Sequence, residues 1–384
     1  MLAGCTHVNE FKDEGVPTPA PVPINSFQLQ WSAILEGVHG PITRIYARDT
    51  LIFGYTDDGT SYVIDRPTGT ILHVETIRHG NEALHPPVVL KDFIVYPTNV
   101  SLEIYDRKGN LSRSKNLGYS IRSDAVGSKS YVYLGADYMG GGRLMAIDVN
   151  SEYLDHRWAL MFPGSAVSAA PAVMGDIVYA AAENGKIVAV AYDTREPVWT
   201  VEGGTFQTYG AVVADLAADE SGVYAASTDT KLVALNRNNG KVKWQYTSNV
   251  ELRDAPVLTK DFVFQNVLGV GLAALDKGAG AYNRSPRWIV PDAVKVLSED
   301  EKYVYVLRTD RAVVALDKQN GKPVFTSNRH DLVTFTTNTR DGFIFATTTA
   351  NRMVALAPVL KPGVVGEQAW TPVAPTGTLL AMGR

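Results

Sequence analysis

Short apolar stretches bounded by turn residues recur along the chain. Residues 222–235 (GVYAASTDTKLVAL) contain two such stretches, and residues 234–244 (ALNRNNGKVKW) add a third after a second turn. Asn side chains hydrogen-bond readily to nearby backbone and Gly accepts a positive φ, so Asn239-Gly240 favours a tight reversal. The pattern predicts three consecutive strands whose alternating or continuous apolar residues suit a sheet covered on both faces.

The same phrase returns at a regular interval. Residues 234–244 and 315–325 (ALDKQNGKPVF) are nearly identical and lie 81 positions apart. The position of Asn236 occurs eight times, with steps of 41, 42, 43, 45, 40, 41 and 40 residues, at Asp65, Asp106, Asp148, Ala191, Asn236, Asp276, Asp317 and Ala357. A period near 40 with four strands per unit is typical of a β-propeller, whereas HEAT or armadillo repeats need long amphipathic helices. We predict an all-β, eight-bladed β-propeller.

The eighth repeat stops after Pro358 without an outermost strand. Residues 27–37 (FQLQWSAILEG) form an early apolar stretch, and its Trp31 resembles tryptophans that end other repeats, namely Trp158, Trp199 and Trp244. Such a side chain can wedge between neighbouring blades and bury ~150 to 250 Å². We expect the first strand to complete blade eight, because ring closure removes a free sheet edge. The predicted propeller therefore spans residues 27–358, between a tether at 1–26 and a C-terminal extension at 359–384.

Composition narrows the class of partner. The chain is 45% hydrophobic and 20% charged, with a formal net charge of −4. The negative balance and the absence of basic runs argue against a nucleic-acid partner. No apolar stretch reaches the ~18 residues that a membrane-spanning helix needs.

The N-terminal segment differs from the repeats. Residues 2–5, Leu-Ala-Gly-Cys, resemble the lipobox at which bacterial lipoproteins are cleaved and acylated, and Cys5 is the single cysteine of the chain. A polar and proline-rich stretch follows at residues 6–25 and would hold a ring away from a surface. We expect Cys5 to be lipidated, the alternative being an incidental thiol. Under the usual sorting rule Thr6 favours the outer membrane, with the propeller facing the periplasm.

The repeat is similar to the phrase A-x-D-x-x-T-G-K-x-x-W of pyrroloquinoline quinone (PQQ) propellers. This resemblance covers residues 27–358 and implies the fold rather than an activity. PQQ-dependent dehydrogenases of this fold use a Ca²⁺ site, a catalytic Asp and commonly a pair of adjacent cysteines. Here Cys5 lies outside the predicted ring, and repeats of 40 to 45 residues leave no room for catalytic insertions. We expect no cofactor and no catalytic or metal-binding residues, and therefore not an enzyme.

Three further motifs have simpler explanations. His79 and His85 flank Glu82 and could bind a metal, but a polar loop between blades one and two explains them as well. Residues 56–60 (TDDGT) lack the ligand series and distal Glu of a calcium loop, so we predict a hairpin turn. Residues 136–143 (ADYMGGGR) have no following helix that would cradle phosphate, and we predict a lengthened hairpin loop in blade three.

Taken together, the lipobox, the proline-containing tether, the closing strand with Trp31 and eight PQQ-like repeats resemble the BamB family. These are propeller lipoproteins of the outer-membrane β-barrel assembly machine. The resemblance implies a non-catalytic, membrane-tethered scaffold whose partner is the barrel-forming subunit of that machine. The residues after the fourth repeat depart from the family's partner-binding loop, so no contact residue is transferred. An accessory lipoprotein of another envelope complex, such as a secretion, pilus or motor assembly, is the alternative.

A partner surface is expected where the repeat is broken, because the turns inside the repeat are short and alike. Three segments break it: Ala136 to Arg143, Gly203 to Ala214, and Lys277 to Arg287. Within the middle segment, Phe206 and Tyr209 are candidate partner contacts, since aromatic residues are favoured anchors of interfaces. The alternative is that both rings pack under the neighbouring blade.

Overall fold

Eight antiparallel sheets follow one another around a ring. This computed structural model describes residues 26–35, 40–77, 82–199, 205–278 and 280–359. Each sheet is a blade whose strands run from the ring axis outward in chain order, except that the outermost strand of blade eight comes from the start of the chain. The all-β, eight-bladed propeller predicted from the repeat is confirmed. The described residues contain no helix that could cross a membrane.

The first four blades contain seventeen strands. Blade one consists of β2 (Ile42–Arg48), β3 (Leu51–Thr56), β4 (Thr60–Asp65) and β5 (Ile71–Thr76). Blade two consists of β6 (Val88–Val89), β7 (Phe93–Pro97), β8 (Ser101–Asp106) and β9 (Leu111–Asn116). Blade three has two short inner strands, β10 (Ser120–Ile121) and β11 (Val126–Ser128), followed by β12 (Tyr131–Tyr138), β13 (Gly141–Asp148) and β14 (His156–Phe162). Blade four consists of β15 (Ala172–Met174), β16 (Ile177–Ala181), β17 (Lys186–Ala191) and β18 (Thr205–Gln207).

The remaining blades follow the same order. Blade five consists of β19 (Ala217–Asp219), β20 (Gly222–Ala226), β21 (Lys231–Leu235) and β22 (Val242–Thr247). Blade six consists of β23 (Val257–Leu258), β24 (Phe262–Val267), β25 (Gly271–Asp276) and β26 (Trp288–Val290). Blade seven consists of β27 (Ala293–Glu299), β28 (Tyr303–Arg308), β29 (Val313–Asp317) and β30 (Pro323–Ser327). Blade eight consists of β31 (Leu332–Phe335), β32 (Ile344–Thr348), β33 (Arg352–Val359) and β1 (Ser26–Ile34).

The N-terminal strand closes the ring, as predicted. β1 pairs antiparallel with β33, so that Trp31 lies opposite Ala355. Arg66 of blade one forms a charged hydrogen bond across the same junction, because its Nε donates to Asp341 Oδ2 of blade eight at 2.9 Å. Two chain ends far apart in sequence therefore share one blade, and the edge of β33 is paired rather than free.

The core lies between the blades rather than inside any one of them. Buried apolar side chains among the described residues form eight clusters, and each cluster joins two neighbouring blades. The middle two strands of a blade contribute most, because both of their faces are covered, as in β3 and β20 where every residue is buried. This explains the nearly continuous apolar runs in those strands.

One predicted loop is wrong. Residues 136–143 do not form a long loop, because β12 and β13 extend through them and leave only Met139 and Gly140 as the turn. Both residues have positive φ, 49° and 77°, which is the backbone that a two-residue hairpin requires. The glycines that follow lie in the strand, where Gly142 donates its N–H to Ser165 O at 2.9 Å. The hairpin at residues 56–60 forms as predicted, with Gly59 N–H donating to Thr56 O at 3.2 Å.

Candidate interaction sites at the blade junctions

A tryptophan occupies one repeated position on the outer strands. Trp31, Trp158, Trp244 and Trp288 each lie opposite an alanine of the neighbouring strand, and Trp199 follows the bridge between Val190 and Pro197. Trp288 was not predicted from the sequence, because it lies twelve positions after Asp276, whereas Trp244 lies eight positions after Asn236. Equivalent positions in blades one, two and seven hold His73, Arg113 and Phe325.

Four of the indoles lie against the turn of the next blade and donate a hydrogen bond to it. The acceptor is the carbonyl of the residue that follows the repeated Asp position: Trp31 to Arg66 O at 2.8 Å, Trp158 to Tyr192 O at 3.1 Å, Trp199 to Arg237 O at 2.9 Å and Trp288 to Lys318 O at 2.9 Å. Two of these carbonyls accept a second bond from a buried tyrosine, Tyr133 at 2.9 Å and Tyr179 at 3.1 Å. Burial raises the pKa of the Tyr179 hydroxyl to about 12, so it remains a donor. The wedge predicted from the sequence is thus both apolar and hydrogen-bonded.

The junction between blades five and six is different. Trp244 is buried, but its Nε1–H has no hydrogen-bond partner among the described residues. The hydroxyl of Tyr224, which corresponds to Tyr179, pairs with Ser221 Oγ at 2.6 Å instead of a carbonyl in blade six. Both donors therefore lack the turn carbonyl that their equivalents use.

The two candidate partner residues are placed in different environments. Phe206 lies in β18 opposite Ile187 and is partly buried against the core between blades four and five. It borders a cavity of about 260 Å³ together with Trp199 and Gly240. Tyr209 is 94% exposed. Both rings were predicted from the sequence as partner contacts, whereas in the structure Phe206 packs against the core.

Tyr209 is exposed on a well-fixed backbone. Its N–H donates to Asp229 Oδ2 at 3.0 Å, and Lys231 Nζ lies 5.5 Å from its ring centroid. The neighbouring residues are also held, because Thr208 N–H donates to Gly185 O at 3.0 Å and Ala211 N–H donates to Thr228 Oγ1 at 2.8 Å. The ring thus projects from a short segment that connects blades four and five. An exposed aromatic side chain on a fixed backbone is suited to anchor a protein partner.

Charged side chains from several blades shift the pKa of Asp215, which lies just before the first strand of blade five. Burial raises the pKa of this carboxyl, and the nearby Asp124 raises it further, while an N–H bond from Ala170 at 2.8 Å, Arg48 and His85 lower it. His85 Nδ1 lies 2.9 Å from Asp124 Oδ1, so this imidazole has a carboxylate partner. Because these groups belong to blades one, two, three and five, they meet only in the closed ring.

Glu82 and His85, which were considered as metal ligands together with His79, each have another partner. Glu82 Oε2 accepts a hydrogen bond from the Ser101 hydroxyl at 2.9 Å, and His85 is paired with Asp124. His79 lies outside the described residues. Within the part of the chain that the structure describes, no three His, Cys, Asp or Glu side chains are grouped to hold a metal ion. Cys5, the tether at 1–25 and the extension from residue 360 also lie outside the described residues.

Comparison with solved structures gives the same fold in proteins of different kinds. BamB from Moraxella catarrhalis is similar with a TM-score of 0.65 and 16% identity, covering 86% of this chain and 98% of that one. The computationally designed Ika8 protein has a TM-score of 0.62 at 16% identity, covering 84% and 98%. Quinohemoprotein alcohol dehydrogenase from Comamonas testosteroni has a TM-score of 0.62 at 14% identity, covering 92% and 78%. At these identities the likeness shows the fold alone.

Sequence comparison is more specific. No curated protein sequence matches the chain. A family model described as outer membrane protein assembly factor BamB matches residues 101–327, from the third strand of blade two to the last strand of blade seven. The match includes the segment with Tyr209 and the altered junction at Trp244. Because it spans more than half of the chain, the protein belongs to the PQQ-like propeller family of outer membrane protein assembly factor BamB.

Proposed function

We propose that this protein is a non-catalytic scaffold of outer-membrane β-barrel assembly, tethered to the membrane and facing the periplasm. The observation that supports this function is the family match over residues 101–327. The closed ring adds a physical argument, because it holds connecting segments such as that of Tyr209 at fixed positions. Its partner would be the barrel-forming subunit of the assembly machine.

Tyr209 is the contact residue that we propose within this function. Its ring is 94% exposed, so Tyr209→Ala should leave the melting temperature unchanged. Truncating a central aromatic anchor typically costs ~2 kcal/mol, or roughly thirtyfold in affinity. We therefore expect Tyr209→Ala to reduce recovery of the barrel-forming subunit when the protein is purified from detergent-solubilised envelopes. Tyr153→Ala, which removes a 67% exposed ring from blade three, is the matched control and should have no effect.

Phe206→Ala separates packing from partner binding. Phe206 contacts the core between blades four and five, so this variant should melt at a lower temperature. Full recovery of the partner with Tyr209→Ala would exclude Tyr209 as the contact. Recovery of secretion, pilus or motor proteins in place of the assembly machine would favour the alternative envelope function.

The tether is tested separately. If Cys5 is acylated, Cys5→Ala should move the protein from the membrane fraction to the soluble periplasmic fraction without changing the melting temperature of the propeller. Metabolic labelling with a palmitate analogue should mark the wild-type chain and not the variant. An unlabelled wild-type chain would contradict lipidation.

A quinoprotein dehydrogenase is the second candidate, because the quinohemoprotein alcohol dehydrogenase shares the fold. PQQ and Ca²⁺ are not expected to raise the melting temperature, since a ligand stabilises only the protein that binds it. A saturable rise together with alcohol oxidation would replace the scaffold function with the enzymatic one.

A further inference from the structure

The altered junction between blades five and six results from a longer turn. Between Asp276 and Trp288 the chain runs twelve positions, four more than between Asn236 and Trp244. The additional residues leave the junction and pair with the outer edge of blade five. Gln245 N–H donates to Tyr282 O at 2.8 Å, and Arg284 N–H donates to Gln245 O at 2.6 Å. The described residues of this turn therefore do not give Trp244 the carbonyl acceptor that shorter turns give to Trp31, Trp199 and Trp288.

A cavity of about 560 Å³ lies at this junction. Its lining includes Trp244, Arg284 and three lysines, Lys243, Lys260 and Lys277. The volume is within the usual range of small-ligand pockets. At the preceding junction, where Trp199 is bonded to Arg237 O, the corresponding cavity is about 260 Å³ and Lys241 is its single charged lining residue.

Two buried N–H donors of this cavity have no partner among the described residues. One is Nε1 of Trp244, a residue that is 1% exposed, and the other is Nε of Arg284. The Arg284 guanidinium carbon lies 5.1 Å from the Trp244 ring centroid, so both donors are on one wall. Buried N–H groups in proteins are nearly always paired, and a pair of unpaired donors on one wall is suited to an acceptor that the protein itself does not supply.

The charges around the cavity favour an anion as that acceptor. Four lining side chains are cationic, and Asp261 is the one acidic lining residue. Lys277 is paired with Asp219 outside the lining, which leaves an excess of positive charge from Lys243, Lys260 and Arg284. Guanidinium, ammonium and N–H donors in a partly enclosed space are the groups that bind carboxylate or phosphate oxygens.

We propose that the cavity between blades five and six binds a small oxyanion, a carboxylate or a phosphate group, through the Nε1–H of Trp244, Arg284 and Lys260. This site is independent of the proposed scaffold function and of its surface at Tyr209. The acceptor would take the place of the turn carbonyl that bonds the indole at four other junctions. Lys260 supplies charge without an ion-pair partner among the described residues.

The test is binding of citrate and of inorganic phosphate to the full chain by titration calorimetry, at constant ionic strength set with chloride. We expect saturable binding of at least one of the two anions, which identifies the oxyanion type. Trp244→Phe keeps an aromatic side chain but removes the N–H, and Lys260→Gln removes a charge. Each variant should weaken binding by about tenfold or more, the effect of losing one hydrogen bond to a charged group.

Trp199→Phe is the matched control, because its indole N–H is already bonded to Arg237 O. It should bind the anion as wild type does and should melt at a lower temperature. Without anion, Trp244→Phe should lower the melting temperature less than Trp199→Phe does, because both variants lose the same buried ring volume and only Trp199→Phe also loses a protein hydrogen bond. The proposal is overturned if neither anion binds, if Trp244→Phe and Lys260→Gln bind as tightly as wild type, or if Trp244→Phe lowers the melting temperature as much as Trp199→Phe.

Discussion

At the junction that closes the ring and at the junction between blades five and six, a tryptophan occupies the same strand position with different surroundings. Trp31 donates to Arg66 O at 2.8 Å, and Gly69 of the same turn lies against its ring. Trp244 has no partner for its N–H, and Arg284 lies over its ring. The strands that bear the two tryptophans are alike. The difference therefore lies in the length of the turn in the next blade, which determines whether a junction is sealed or open.

The closing junction also contains a buried arginine, Arg66, with several contacts. Arg66 is buried, donates to Asp341 Oδ2 at 2.9 Å and to Asp49 O at 2.9 Å, and lies over the Phe345 ring at 5.3 Å. The bond to Asp341 and the contact with Phe345 connect blade one with blade eight, whereas the bond to Asp49 lies within blade one. At the open junction Lys277 forms a comparable ion pair between blades six and five, with Asp219. Both junctions thus have an ion pair between blades, and the hydrogen bond of the indole is what distinguishes them.

The largest expected effect comes from removing the closing strand. A chain that starts at residue 40 loses β1 and the buried Trp31, which costs ~3 kcal/mol or more for the aromatic side chain alone. It also exposes the edge of β33, so we expect aggregation as well as a lower melting temperature. Thermal melting and size-exclusion chromatography measure both.

A chain that starts at residue 26 is the control, because it retains the whole of β1. It should melt as the full chain does. Equal melting of the two truncated chains would show that β1 does not hold the ring closed.

An intermediate effect on stability should distinguish the turn of blade one, at Gly69, from the turn of blade six, at Gly280. Gly69 has a φ of 73°, and an added Cβ would lie 2.5 Å from the Trp31 ring, so Gly69→Ala should destabilise the protein by about 1 to 3 kcal/mol. The corresponding Gly280 lacks a positive φ, and an added Cβ would meet only the flexible end of Arg284, at 2.7 Å from Nη1. Gly280→Ala should therefore change stability by less than about 0.5 kcal/mol.

Chemical denaturation of the two glycine variants measures this difference. A loss of stability in Gly280→Ala as large as that in Gly69→Ala would mean that the turn of blade six is as tightly packed as the turn of blade one.

The sequence was sufficient for the ring but not for the difference between its junctions. The repeat of the Asn236 position predicted eight blades, and Trp31 predicted the closing strand, because both signals are local and periodic. The four additional residues before Trp288 left that period unchanged but altered the spacing from Asp276 to the tryptophan, which concealed one of the wedges. Their pairing with Gln245 depends on an edge in another blade, so no local pattern could predict it.

The candidate partner residues show the same limit. Phe206 and Tyr209 are three positions apart in a segment that breaks the repeat, and both were therefore predicted as partner contacts. Pairing of Phe206 with Ile187 turns its ring toward the core, while Tyr209 lies beyond the end of β18 and is exposed. Which side of a short strand faces the core depends on register, and register is set by the neighbouring strand.

The smallest expected effect tests whether the contrast between junctions is confined to their outer ends. Asp215 lies at the inner end of blade five, where burial raises the pKa of its carboxyl above the ordinary 3.8. Above the raised pKa the carboxylate is ionised in the folded and unfolded states, so its burial lowers the stability of the fold. As the pH falls through the raised pKa, the folded state binds the proton first and the penalty declines, disappearing below the unfolded pKa. Asp215→Asn keeps an acceptor for Ala170 N–H and should raise the melting temperature at pH 7 by about 1 °C, with no difference from wild type at low pH.

Exposed Asp92→Asn is the control and should show no such dependence. Combined with Gly280→Ala, the effect of Asp215→Asn should be additive, because distant independent sites add. A pH-independent change would mean that the buried charge of Asp215 does not cause the effect, and a strong departure from additivity would mean that the inner end of blade five is coupled to the turn of blade six.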